Sequence, residues 1–326
     1  MWRNCCGLSV VLLPVFMDAS CHAANDTPHI PREHVHRAAN VECLSLTGRL
    51  LHARTDDTQT QKLNADLAAA RDALTEDPTD AERIVWVGRR LGYLWRINDA
   101  IDVFTQGIKN HPNYAPLYRH RGHRHISLRR FDEAIADLER AATLIKGKSD
   151  EVELDGMPNA RNIPLTTTAF NVWYHLGLAH YLKGNFETAL SAYRKTMTFA
   201  KRYDDNVVAT TDWMYMTLRK LGRDTEAAAL LQTITPKMEI IENHAYHRRL
   251  LMYKGLVSPS ALLDLEHATD LDLTTLGYGV GNWYLLNGQE DKAREIFERA
   301  TNGPYWPAFG FIAAEVDLAR LGKSRP

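Results

Sequence analysis

The feature that most constrains this chain is a spacing. A glycine inside one helical pattern is followed twelve residues later by an alanine inside the next: Gly88 with Ala100, Gly122 with Ala134, Gly177 with Ala189 and Gly281 with Ala293. Tyr215 with Ala227 and Arg249 with Ala261 keep the interval but put a large residue first. Successive starts lie 34, 55, 38, 34 and 32 residues apart. A period of this size means that one supersecondary unit is stacked on copies of itself. The spacing has a packing cause. Two antiparallel helices joined by a short turn cross closely where one side chain is small, and large neighbours fill the remaining gaps. A large residue follows each alanine by four positions: Phe104, Leu138, Tyr193, Leu231, Leu265 and Phe297. Gly184, Gly222, Gly255 and Gly288 fall where each turn needs a left-handed helix end, and Trp95 stands at that place in the first unit.

The stretch WYHLGLAHYLKGNFETALSAYRKT (Trp173 to Thr196) and the stretch GNWYLLNGQEDKAREIFERA (Gly281 to Ala300) carry the pattern best. With Asp77-Pro78 and Asn113-Tyr114-Ala115 as ends between units, residues 60 to 300 resemble the tetratricopeptide repeat family. The fold predicted is all-α: an α-solenoid of about six helix pairs, with N-terminal helices and a C-terminal capping helix. Tyr215 and Arg249 occupy the glycine slot, so the fourth and fifth units are expected to be irregular.

Around the array the chain divides as follows. Arg3, the apolar run Cys6 to Met17 and the small residues to Ala24 have the order of a secretory signal, predicted over 1–24. The run is too short to span a bilayer, so no transmembrane segment is expected. Removing it leaves Cys43 as the single cysteine and puts the protein in a secreted, periplasmic or secretory-lumen compartment. Residues 25–59 form an N-terminal extension in which the spacing of Val41, Leu44, Leu46, Leu50 and Leu51 predicts a helix from Val41 to His52. A further helix is predicted over Gln61 to Thr75. The array runs over 60–301, interrupted by an inserted loop at 143–168 that carries Gly147, Gly156, Pro158, Pro164 and an acidic run. Long loops often serve as lids or binding elements. The last segment, 302–326, contains an amphipathic helix, Phe309 to Leu321, expected to cover the exposed end of the array.

The formal charge of −1 leaves no field to attract nucleic acid, and nucleic-acid binding is not expected. The chain has no GxSxG, HExxH, phosphate loop or CxxC pair, and no cofactor is expected. Gly277, Gly279 and Gly281 sit inside a repeat helix with no preceding strand and read as small-residue packing. His120 and His123 share a helix face, but nothing nearby supplies a third ligand among so many arginines, so no metal is expected.

The resemblance implies that the first helix of each pair lines a concave groove. It places Arg89, Tyr93, Arg119, His123, Ser127, Tyr174, Tyr181, Asp212, Tyr246, Tyr253, Tyr278 and Asn282 there, with Leu178, Met216, Arg219 and Leu250. His125 and His180 read as packed, hydrogen-bonded core residues, and His120 and Arg124 as convex. Arg119 and His123 are either an anion clamp or a polariser of a carbonyl, or interhelix partners of Asp99, Asp102 or Asp137. Two functions fit an aromatic groove with arginines at one end. One is an exported scaffold that holds a peptide or protein segment. The other is a small-molecule enzyme acting by acid-base or electrostatic catalysis on a hydrophobic, oxygenated substrate. An open channel favours the first; an enclosed cavity capped by 143–168 favours the second.

Overall fold

A computed structural model describes residues 40–54 and 58–323. The expected signal segment lies outside them. The described chain opens with a hairpin, β1 (Val41–Leu44) and β2 (Leu50–His52), paired antiparallel. The helix predicted there does not form. Gly48 turns the chain with a φ of 89°, which no helix accepts, and the burial alternates: Leu51 is 0% exposed and Leu50 49%. The apolar residues are spaced for one helix face, but the turn splits them and leaves Leu46 and Leu50 exposed.

Helix α1 (Thr58–Glu76) follows, then six helix pairs. These are α2 (Ala81–Tyr93) with α3 (Ile97–Asn110), α4 (Ala115–Ser127) with α5 (Phe131–Ile145), and α6 (Thr168–Lys183) with α7 (Phe186–Ala200). The chain continues with α8 (Asp204–Lys220) and α9 (Asp224–Leu230), α10 (His244–Tyr253) and α11 (Pro259–Leu262), and α12 (Tyr278–Leu286) and α13 (Glu290–Asn302). The spacing rule has a direct structural cause. A Cβ on Gly88 would lie 2.3 Å from the Phe104 ring, one on Gly177 2.7 Å from Tyr193, and one on Gly281 2.5 Å from Phe297. The slot glycine of one helix therefore receives the large residue of its partner. Where the slot is filled, the second helix shrinks, to seven residues in α9 and four in α11. Tyr215 stacks on Tyr253 at 4.4 Å, and Arg249 reaches across to Asp212.

Gly184, Gly222, Gly255 and Gly288 close their turns with φ between 71° and 95°. The first two turns adopt the same left-handed backbone with Trp95 (φ 58°) and Arg129 (φ 61°). Such a residue costs roughly 1–2 kcal/mol relative to glycine. Both side chains are used at the closure of the array. Trp95 packs edge-on against Tyr305 and Trp306, and Arg129 reaches Glu315 and the Trp306 carbonyl.

That closure departs from the cap expected at the C-terminus. Helix α14 (Phe309–Lys323) packs on α13 but also runs along the inner face of the array, with residues 311–318 buried. Phe309 meets His123 of α4 and His175 of α6. Asp317 takes a hydrogen bond from Tyr278 at 3.0 Å and pairs with Lys220 at 3.1 Å, and Arg320 donates to the Leu182 carbonyl at 2.9 Å. A π-helical segment, Leu273–Gly277, precedes α12, and its Thr274 carbonyl lies 2.3 Å from where a Cβ on Gly310 would sit. The hairpin seals the join. Leu51, Ile97, Ile101, Leu128, Trp306 and Phe311 form one apolar cluster, Arg49 donates to the carbonyls of Thr301 and Gly303, and Trp306 Nε1 donates to that of His52. The first and last units are thereby tied together.

Candidate functional site

Of the residues expected in the groove, Tyr93, His123, Arg219 and Tyr246 are partly buried and the others are buried. Two internal elements cover them. The inserted loop lies over the first units. Arg119 pairs with Glu153 at 2.9 Å, Arg89 donates to the Leu154 carbonyl at 2.7 Å and Arg90 to that of Gly156 at 2.8 Å, while Gly156 sits against Tyr93. The partner of Arg119 is therefore Glu153 of the insert rather than Asp99, Asp102 or Asp137. Asp137 is taken by Arg121 through two bonds of 2.7 Å. Helix α14 lies over the later units. Ser127 and Tyr181 are 1% exposed, and Asp212, Tyr278 and Asn282 are 0% exposed. Tyr181 and Tyr278 share a hydroxyl hydrogen bond of 2.6 Å, Tyr174 and Tyr246 one of 3.2 Å, and Tyr253 donates to the Gly279 carbonyl at 3.4 Å.

The histidine cluster is internal as well. His120, expected on the convex side, is buried and stacks on Phe104. Arg124, expected beside it, turns its guanidinium toward Gly92 and donates to His123 Nδ1 at 2.8 Å. Helix α4 is wrapped on more sides than an isolated pair would be, because the insert and α14 occupy the face that a solenoid normally leaves open. Arg119 donates to His120 Nδ1 at 2.8 Å. A guanidinium has no acceptor, so both Nδ1 atoms accept and both rings are neutral, with the proton on Nε2. His175 instead donates from Nδ1 to the Asn171 carbonyl at 2.6 Å. Burial, reinforced by the neighbouring arginines, holds all three histidines well below the usual imidazole range.

Behind them lies a second polar group. Burial pushes the Asp212 carboxyl up to about 7, against the pull of Arg249. Asp212 Oδ1, both amide atoms of Asn282, Tyr193 Oη and Trp213 Nε1 are buried without a hydrogen-bond partner. These groups are enclosed by packed side chains, and the arrangement is a closed polar core. Among the described residues no three His, Cys, Asp or Glu are grouped to hold a metal ion, and no helix is long and apolar enough to cross a membrane.

An accessible groove lies on the opposite side of α6. It holds about 800 Å³ and runs between α5 and α7. Its floor is one stripe of α6, Ala169, Trp173, Leu176 and His180, at steps of four, three and four residues. Glu139, Ala142 and Thr143 of α5 form one wall, and Thr188, Ser191, Ala192, Lys195 and Phe199 of α7 the other. The turn Lys146 to Glu151, where the insert departs, closes one end. Asp150 anchors that turn by accepting from the Ala169 N–H at 3.0 Å.

His180 differs from the expected hydrogen-bonded core histidine. It is 6% exposed, and neither ring nitrogen has a partner. Burial lowers its pKa, partly opposed by Glu139, so it stands as a neutral imidazole. The groove itself was not read from sequence. Trp173, Leu176 and Phe199 carry family-like packing positions, and only the unusual length of the interval after Ala142 marks where the array opens.

The family model described as "Tetratricopeptide repeat" matches residues 170–200, which span α6 and α7. The small glutamine-rich tetratricopeptide repeat-containing protein 2 of Saccharomyces cerevisiae is 31% identical over 98 residues, which cover 30% of this chain and 22% of that protein. The match thus spans about a fifth of that relative's length. Among solved structures, a tetratricopeptide repeat protein from Parabacteroides merdae aligns over 80% of this chain and 94% of its own, at 14% identity and a TM-score of 0.47. YrrB, described as a TPR protein with an unusual peptide-binding site, aligns over 79% of this chain and 98% of its own, at 16% identity and a TM-score of 0.40.

Proposed function

We propose that this tetratricopeptide repeat chain is an exported scaffold that binds a protein partner, and that the contact is made in the outer groove over α6. The observation that carries the reading is the exchange of faces. The inner face, expected to receive a ligand, is occupied by α14 and the insert, while the outer groove presents Trp173, Leu176 and Phe199 beside an unpartnered His180. An accessible apolar cleft with a few convergent polar groups is the usual form of a binding site. The enzyme alternative would need the interior tyrosines, Asp212 and His123 to face a substrate, and they face one another, the insert and α14. The proposed export rests on the charged, apolar, small-residue order of residues 1–24.

Site-specific photo-crosslinking tests the binding reading. A benzophenone amino acid at the exposed Ser191 or Lys195 of the groove should give protein adducts in the producing cell. The same probe at the exposed Lys62 of α1 should not. Equal adducts at all three positions, or none at the groove positions, would overturn it. N-terminal sequencing of the mature protein tests export, with a start near residue 24 expected.

A further inference from the structure

We infer that the outer groove seats an amphipathic α-helix of a partner protein, about three turns long, that places a hydroxyl or carboxamide side chain against His180. The inference rests on the binding reading above and names its occupant.

The walls decide between a helix and an extended strand. The groove is bounded by α5, α6 and α7, whose backbone N–H and C=O groups are consumed within those helices. An extended segment laid between them would bury its own backbone groups with nothing to receive them, at a cost comparable to a lost hydrogen bond for each. A helix satisfies its own backbone and needs only side-chain complementarity. The floor matches such a guest. From Ala169 to His180 it offers one stripe at helical spacing, about 16 Å long at 1.5 Å per residue. A helix laid along that lane would bring apolar residues at i, i+4 and i+7 onto Phe199, Trp173 and Leu176 and leave i+11 at His180, as helix-in-groove recognition requires.

His180 sets the polar position. A neutral imidazole has one donor and one acceptor nitrogen, and both are unpartnered here. Both nitrogens are buried at the groove floor and diverge across the ring, so a guest group meets one of them. A hydroxyl or a carboxamide can serve either, by donating to the bare nitrogen or accepting from the N–H, and Ser, Thr, Asn or Gln on the guest answers it. The rim sets the flanks. Lys146, Lys148 and Lys195 stand with Glu139 and Glu151, and none of these five makes an ion pair among the described residues. Unpaired charges of both signs fit a polypeptide with mixed charges and fit poorly a uniformly anionic ligand such as nucleic acid or a fatty acid.

Two displayed peptide libraries test this against the whole chain. One fixes leucines at i, i+4 and i+7 in helix-forming sequence and randomises i+11 and the flanks. The other has the same composition with a central proline that forbids the helix. The expected result is enrichment from the helical library alone, with Ser, Thr, Asn or Gln selected at the position facing His180. Ser191→Trp, at an exposed site that fills the lane, should weaken the selected peptides about tenfold or more. His180→Phe should change the selected residue at i+11 to an apolar one, a readout that general destabilisation would not produce. Enrichment from the proline library that Ser191→Trp abolishes would overturn the helical occupant and leave the outer-groove reading standing. Enrichment indifferent to Ser191→Trp, or no enrichment from either library, would overturn both.

Discussion

Arg129, held in a left-handed backbone at the turn between α4 and α5, donates from Nε to Glu315 of α14 at 2.7 Å. The pair lies 186 residues apart in sequence, and its side chains are 3% and 0% exposed. It ties the turn of the second unit to the helix that fills the inner face.

Removing one partner of a buried pair strands the other charge. Arg129→Ala is therefore expected to lower stability by about 3–5 kcal/mol. Replacing both partners, as Arg129→Met with Glu315→Leu, should recover most of that loss, because apolar groups of similar size carry no desolvation cost. Urea unfolding of the two singles and the double measures the coupling. Strictly additive losses would show that the two side chains do not act as a pair.

Gly310 marks the closest approach of α14 to the array. A methyl group there would meet the Thr274 carbonyl at 2.3 Å, and backbone cannot turn aside as a side chain can. Gly310→Ala should destabilise the fold by roughly 1–3 kcal/mol, even though alanine favours helices. Thermal unfolding checks this. An increase in Tm would mean that α14 does not pack there.

Much of this fold is legible in sequence, because the twelve-residue glycine-to-alanine interval records a contact made within one unit. Gly88 with Phe104 and Gly281 with Phe297 can be read from local spacing alone. What fills the groove cannot. Glu153, Glu315 and Asp317 find their partners over long separations, and their acidic side chains in the insert and in α14 look like any solvated charge. Arg119, Tyr181 and Tyr278 are buried against Glu153, each other and Asp317, partners that no local spacing announces. The hairpin is not legible because five apolar residues carry helical spacing, while Gly48 turns the chain between them and leaves Leu46 and Leu50 exposed.

Acid should loosen the inner face. His120, His123 and His175 are neutral when folded, with values well below 6.5, and in the unfolded chain they titrate near 6.5. A lowered folded value contributes stability that is complete above 6.5 and is lost as the pH falls. The loss approaches about 1.4 kcal/mol per pH unit for each histidine. Asp212 works the other way. Raised from 3.8 to about 7, it favours folding below 3.8 and loses that contribution as the pH rises through 7. Three groups outweigh one, so stability should fall from pH 7 to pH 5. Chemical denaturation across that range should show a smaller fall for His120→Asn with His175→Asn, measured as the difference from each protein's own value at pH 7. Equal falls would contradict the assignment.

Cys43 should be inert in the folded protein. Burial in the seam between β1 and the closure of the array pushes its thiol up to about 11, so almost no thiolate is present at pH 8. Reaction with an aromatic disulfide reagent should be at least tenfold slower than for the urea-unfolded chain. Equal rates would show that the hairpin does not cover the thiol.

The inner face of this array is filled by the chain's own helix α14. Hydrogen exchange read by mass spectrometry tests it most directly. Residues 311–318 of α14 are as buried as α6, so their amides should exchange as slowly as those of α6 and rise with them as denaturant approaches the unfolding transition. Exchange of residues 311–318 within seconds in native buffer, with α6 still protected, would mean that α14 does not occupy the groove.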